Sequence, residues 1–107
     1  MERFTDPDEL SFELEVDGEL VRRQLARQLW IRGAWATGAY HFQDRGADGA
    51  WRAPKVALVR LRKVAGAWRK HAAITLPATV VTELASLLAA WHDPGATDDA
   101  AADTDDA

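Results

Sequence analysis

Two runs joined by a two-residue turn restrict this chain more than any other feature. Pro54 opens the first, and from Val59 to Arg62 apolar and basic residues take turns. Alternation is the period of a strand, so Val59 and Leu61 face one side while Arg60 and Arg62 face the other. The strand is read over Lys55–Val64. Ala65-Gly66 supplies a tight turn, and Ala67 to Leu76 returns as the partner of a hairpin. On the returning strand Ala72, Ile74 and Leu76 are expected to look inward, with Arg69 and His71 outward. Arg60, Arg62 and Arg69 then share one exposed face. A third strand, read over Ala34–Gln43, adds Trp35 and His41 to that face.

Upstream, Ser11–Asp17 alternates without a break. Phe12, Leu14 and Val16 face one way and the acids the other, which predicts a half-buried strand ending at Asp17-Gly18. Over residues 19–31 the period changes. Val21, Leu25 and Leu29 fall on one helical stripe, Arg22, Arg23 and Arg27 fall away from it, Asp17 stands at the capping position, and Gly33 follows the end. This predicts a helix, although Val21, Leu25, Leu29 and Ile31 also share the odd parity of a strand. Pro77 begins a second helix with the apolar stripe Val80, Leu84, Leu87, Leu88 and Trp91, stopped by Asp93-Pro94-Gly95. The expected fold is α+β: an antiparallel sheet of about four strands with two helices, in the order β-α-β-β-β-α. A flexible acidic N-terminus (1–10) precedes a single domain (11–92), and a disordered acidic tail (93–107) follows it.

A chain of 107 residues holds one domain with a small core, which pairing with a second copy would stabilise. A homodimer through the C-terminal helix and the sheet edge is therefore expected. No cysteine is present, which excludes disulfides and thiolate metal sites and fits a reducing, cytoplasmic compartment. The N-terminus lacks the pattern of a signal peptide, and no apolar run is long enough to span a membrane.

The net charge of −4 hides a segregated chain. Residues 1–20 carry eight acids and one base, residues 21–71 twelve bases and two acids, and residues 72–107 seven acids and no base. A basic centre of this kind points to a polyanion. The centre also holds Trp30, Trp35, Trp51 and Trp68. Trp30 and Trp91 are expected in the core. Trp35 and Trp68 are the candidates for stacking on bases, because flat rings on a wet sheet face suit unpaired strands. Arg60, Arg62, Arg69, Lys70 and His71 are the candidate phosphate contacts, with Arg22, Arg23 and Arg27 extending the positive field along the first helix. The expected function is low-specificity binding of single-stranded DNA or RNA. The alternative is a protein–protein adaptor docking an acidic partner on the same face. No enzyme, metal or cofactor is expected: His41, His71 and His92 lack ligand spacing, and Ser11 and Ser86 sit on no nucleophile elbow.

Val56–Leu88 resembles the single-stranded-DNA-binding domain of the transcriptional coactivator family known as positive cofactor four. That family runs strand, tight turn, strand, then an Ile-Ser-Leu-type segment into an amphipathic helix. The corresponding segment is Ile74-Thr75-Leu76, and Leu84 stands at the spacing of the family's helical leucine. Pur-type and Whirly-type modules are similar. The resemblance implies a dimer whose curved sheets each grip one strand, a role in transcription regulation, and contacts from Arg60, Arg62 and Arg69; if it binds DNA, the cytoplasmic protein is expected to associate with the nucleoid.

Overall fold

The computed structural model describes residues 3–92. They form a six-stranded antiparallel sheet, curled into a half-barrel, followed by one helix. The strands are β1 (Arg3–Phe4), β2 (Leu14–Val16), β3 (Glu19–Arg32), β4 (Trp35–Asp44), β5 (Lys55–Val64) and β6 (Ala67–Pro77), and the helix is α1 (Ala78–Trp91). Their spatial order is β1-β6-β5-β4-β3-β2. The α+β class and the antiparallel sheet agree with the sequence reading. The strand count rises from about four to six, and only one of the two expected helices forms.

Residues 19–31 are strand β3, not a helix. Asp17 and Gly18 both take positive φ, 54° and 82°. A two-residue turn of that kind fits a tight hairpin and returns the chain antiparallel to β2. The helical stripe is an accident of parity. A bulge between Gln24 and Ala26 interrupts the pairing of β3 with β4. Leu25 occupies the bulge, so Leu29 faces one side of the sheet and Val21 the other. An extra residue thus brings three apolar positions into a spacing that mimics a helix face.

One face of the sheet is covered. Its core is Ala36, Tyr40 and Phe42 of β4, Ala57, Val59 and Leu61 of β5, and Trp68 of β6. The N-terminal segment closes over them. Leu10 is buried in the cluster, and the Phe12 ring lies 4.7 Å from Tyr40 and 5.1 Å from Phe42. Within residues 3–10, Arg3–Phe4 pairs with β6, and a 3₁₀ turn over Pro7–Glu9 starts at Asp6, whose carboxylate accepts from the Asp8 amide at 3.0 Å. The tail at 93–107 lies outside the described residues. Gly38 leaves room for the Tyr40 ring, which would lie 2.6 Å from any Cβ placed there. The Tyr40 hydroxyl is enclosed without a hydrogen-bond partner among the described residues, and burial pushes its pKa up.

A second bulge decides the hairpin. Pairing shifts between Arg60 and Leu61, which face Ala72 and Lys70 and leave His71 unpaired. Ala72, Ile74 and Leu76 therefore share the side of Arg60, not the core side expected for them.

At the other end of the sheet, Asp44 ties three strands together. The Arg22 guanidinium of β3 donates to its carboxylate at 2.7 and 3.4 Å, and Lys55 of β5 stands 3.5 Å away. The hydrogen bond from Arg22, aided by both positive charges, holds the Asp44 carboxyl below its ordinary pKa. Its folded pKa is depressed, so its contribution is present above the unfolded value and lost as pH falls through the folded one. Asp44→Asn is expected to cost about 1 kcal/mol at neutral pH, given the partial exposure of the pair. Thermal melts should show a drop of about 4–8 °C at neutral pH that closes as the pH falls below the ordinary carboxylate range.

Candidate nucleic-acid interface

The opposite face of the sheet carries the odd-numbered residues of β4 and their cross-strand partners. Register assembles them into rows. Arg3 of β1 faces Arg69 of β6, Arg69 faces Arg62 of β5, Arg62 faces Trp35 of β4, and Trp35 faces Arg32 of β3. Four guanidinium groups and one indole thus occupy a single row across five strands. The next row on this face, about 6.7 Å along the strands, is Ala72, Arg60, Thr37 and Trp30.

Trp35 organises the middle of the cluster. The Arg60 and Arg62 guanidinium carbons lie 4.6 and 5.2 Å from its ring centroid, and the His71 ring meets it edge-on at 5.0 Å. Each cation–π contact is worth about 0.5–1 kcal/mol at such exposure. The indole is thereby a seat for two cations, not a vacant platform for a base. Beside it, a shallow groove is lined by Arg62, Val64, Arg69, Lys70 and His71.

The charge of the arginines in this cluster is not cancelled by the described residues. Their ion pairs join Arg22 and Lys55 to Asp44, Arg27 to Asp8, Arg45 to Glu19, and Arg52 to Asp48. None of these involves Arg3, Arg32, Arg60, Arg62 or Arg69. The Nε atoms of Arg60 and Arg69 are enclosed and meet no acceptor among the described residues. An unsatisfied buried donor costs about 1–3 kcal/mol, an arrangement rare enough to need a reason.

The sequence-predicted residues divide. Arg60, Arg62, Arg69, His71 and Trp35 come together, and Lys70 joins them at the groove. Arg22 and Arg27 do not: no helix carries them, and both lie on the covered side. Arg22 is over the Phe42 ring at 4.7 Å, and Arg27 donates to the Asp8 carbonyl at 2.7 Å. Arg23 is on the open side but about 27 Å along the strands from the arginine row, packed on Trp51 at 4.3 Å and donating to Gln43. His41 is about 20 Å from that row by the same measure. Trp68 is only 6% exposed, within the core.

Trp30 and Trp91, expected inside, are 55% and 70% exposed. The sequence reading missed Arg3, Arg32 and Trp30. Gly33-Ala34 separates Arg32 from Trp35 as Ala65-Gly66 separates Val64 from Ala67. Reading it as a second hairpin turn would have placed Arg32 beside Trp35. Nothing local signals Arg3.

Among the described residues no cluster of His, Asp and Glu is arranged to hold a metal ion, and no helix is long and apolar enough to cross a membrane. Comparison with known proteins finds no matching family model, no matching curated protein and no matching solved structure.

Proposed function

We propose that this protein binds single-stranded nucleic acid with low sequence specificity through the open face of its sheet. One observation carries the reading: five arginines share that face without an acidic partner among the described residues. Guanidinium groups match phosphate oxygens in geometry and charge. An open sheet face with an exposed indole suits splayed bases, whereas duplex bases are stacked on one another and unavailable to it. Fluorescence anisotropy with matched single- and double-stranded oligonucleotides, over a series of salt concentrations, tests this. Single strands should bind more tightly, and log affinity should fall linearly with log salt. Binding of polyglutamate in place of any oligonucleotide would instead support an adaptor for acidic partners.

The chain is also proposed to act as a dimer through α1. This helix has one charged residue, Glu83, in 14, and none of its side chains is buried. Val80, Leu87, Leu88 and Trp91 are all largely exposed. A helix so apolar requires a covering surface, and a second α1 is the simplest one. Sedimentation at micromolar concentration should give twice 11.8 kDa. Leu87→Glu with Leu88→Glu should return the monomer mass with the sheet intact by circular dichroism. A wild-type monomer would refute the pairing.

A further inference from the structure

If the open face takes a nucleic-acid strand, the reading on which this inference rests, the distribution of its cations fixes the direction of that strand. Along each β-strand the open-face cations run out quickly. On β5, Arg60 and Arg62 give way to Leu58 and Val56. On β6, Arg69 with Lys70 and His71 beside it gives way to Ala72, Ile74 and Leu76, and on β3, Arg32 gives way to Trp30 and Gln28. A phosphate backbone parallel to the strands would leave positive charge within about 7 Å, two residues of strand. A backbone crossing them meets an arginine on four of five strands.

We infer that a single strand crosses the sheet at right angles to its β-strands, with phosphates along Arg3, Arg69, Arg62 and Arg32 and bases over the adjoining row toward Trp30. The adjoining surface suits bases. Ala72 and Thr37 are short side chains that let a ring lie flat, and Arg60 stands between them. Trp30 closes the row on β3 at 55% exposure. No ring or cation contact occupies its indole among the described residues, whereas the Trp35 ring already carries Arg60 and Arg62. Trp30 is therefore the stacking residue and Trp35 the anchor for cations.

The crossing has a length. Five strands span four gaps of ~4.8 Å, about 19 Å. At the stacked spacing of about 3.4 Å per phosphate, that holds five or six nucleotides at most. The footprint on one chain is short.

The test uses the full-length protein and oligothymidylates of 3 to 12 nucleotides. Affinity per chain should rise to about six nucleotides and then change only by the statistical factor for extra registers. Arg3→Glu with Arg32→Glu lies at exposed positions and should leave the melting temperature within a few degrees. It should weaken binding about 25-fold at 0.1 M salt and lower the salt slope by about 1.4, the share of two phosphates on a single strand. Trp30→Phe should remove most of the fluorescence quenching that binding produces. A normal affinity and slope in the Arg3/Arg32 variant would overturn the crossing path, as would quenching unchanged in Trp30→Phe. In either case, loss of binding in Arg60→Glu with Arg62→Glu would leave the nucleic-acid reading standing. Wild-type protein that ignores every oligothymidylate would defeat both.

Discussion

Arg60→Glu combined with Arg62→Glu is expected to weaken binding of a single-stranded oligonucleotide by about a hundredfold at about 0.1 M salt. Each guanidinium that bonds a phosphate contributes about 1.5–3 kcal/mol as a charge-assisted hydrogen bond, and the tenfold step is about 1.4 kcal/mol. Losing the Arg62 bond gives about tenfold or more, and reversing Arg62 together with Arg60 of the adjoining row adds repulsion that carries the loss to about a hundredfold. Both side chains sit over Trp35 at 4.6 and 5.2 Å, so the double variant also abolishes two cation–π interactions. That change costs about 1–2 kcal/mol of stability, which leaves a small domain folded at room temperature. Anisotropy titration with melting curves on the same samples separates the two effects. Normal affinity in a folded double variant would remove this face from consideration.

Trp68→Ala has an equally large expected effect of another kind: the protein should lose a third or more of its stability. Trp68 is one of eight buried hydrophobic side chains among the described residues, stands opposite Phe4 in the pairing of β1 with β6, and is larger than any other in the cluster. Replacing a buried tryptophan with alanine costs about 3–5 kcal/mol through lost transfer energy and the cavity left behind. A domain of this size has about 5–15 kcal/mol in total. Urea unfolding should show the midpoint falling by about a third or more. Trp30→Ala, at a site 55% exposed, should cost about 1–2 kcal/mol, clearly less than Trp68→Ala. Equal midpoints for the two variants would contradict the placement of both indoles.

The elements that follow simple alternation were legible. β4, β5 and β6 and α1 fall within a residue or two of their sequence boundaries. So was the gathering of Arg60, Arg62 and Arg69 with Trp35, because two tight strands in register leave little choice of face. Where the chain carries an extra residue, alternation misleads. Leu25 turned a strand into an apparent helix, and His71 reversed the expected sides of Ala72, Ile74 and Leu76. A bulge costs one residue of phase, and a period-2 pattern has no way to show where the phase slipped.

Residue order alone establishes that the centre of this chain is basic, that its best strands form a hairpin, and that arginines alternate with core aliphatics there. Local sterics and side-chain period suffice for those statements. Which indoles are buried and which cations are neutralised depends instead on how distant segments meet. Trp68 is buried because β1 pairs beside it and the segment carrying Leu10 and Phe12 covers that side, and Arg22 and Arg27 meet Asp44 and Asp8 across 22 and 19 residues of chain. Arg3 and Arg32 join the arginine row only through the strands between them. Such placements depend on long-range register, which is set by the sum of all strand pairings and is written at no single position.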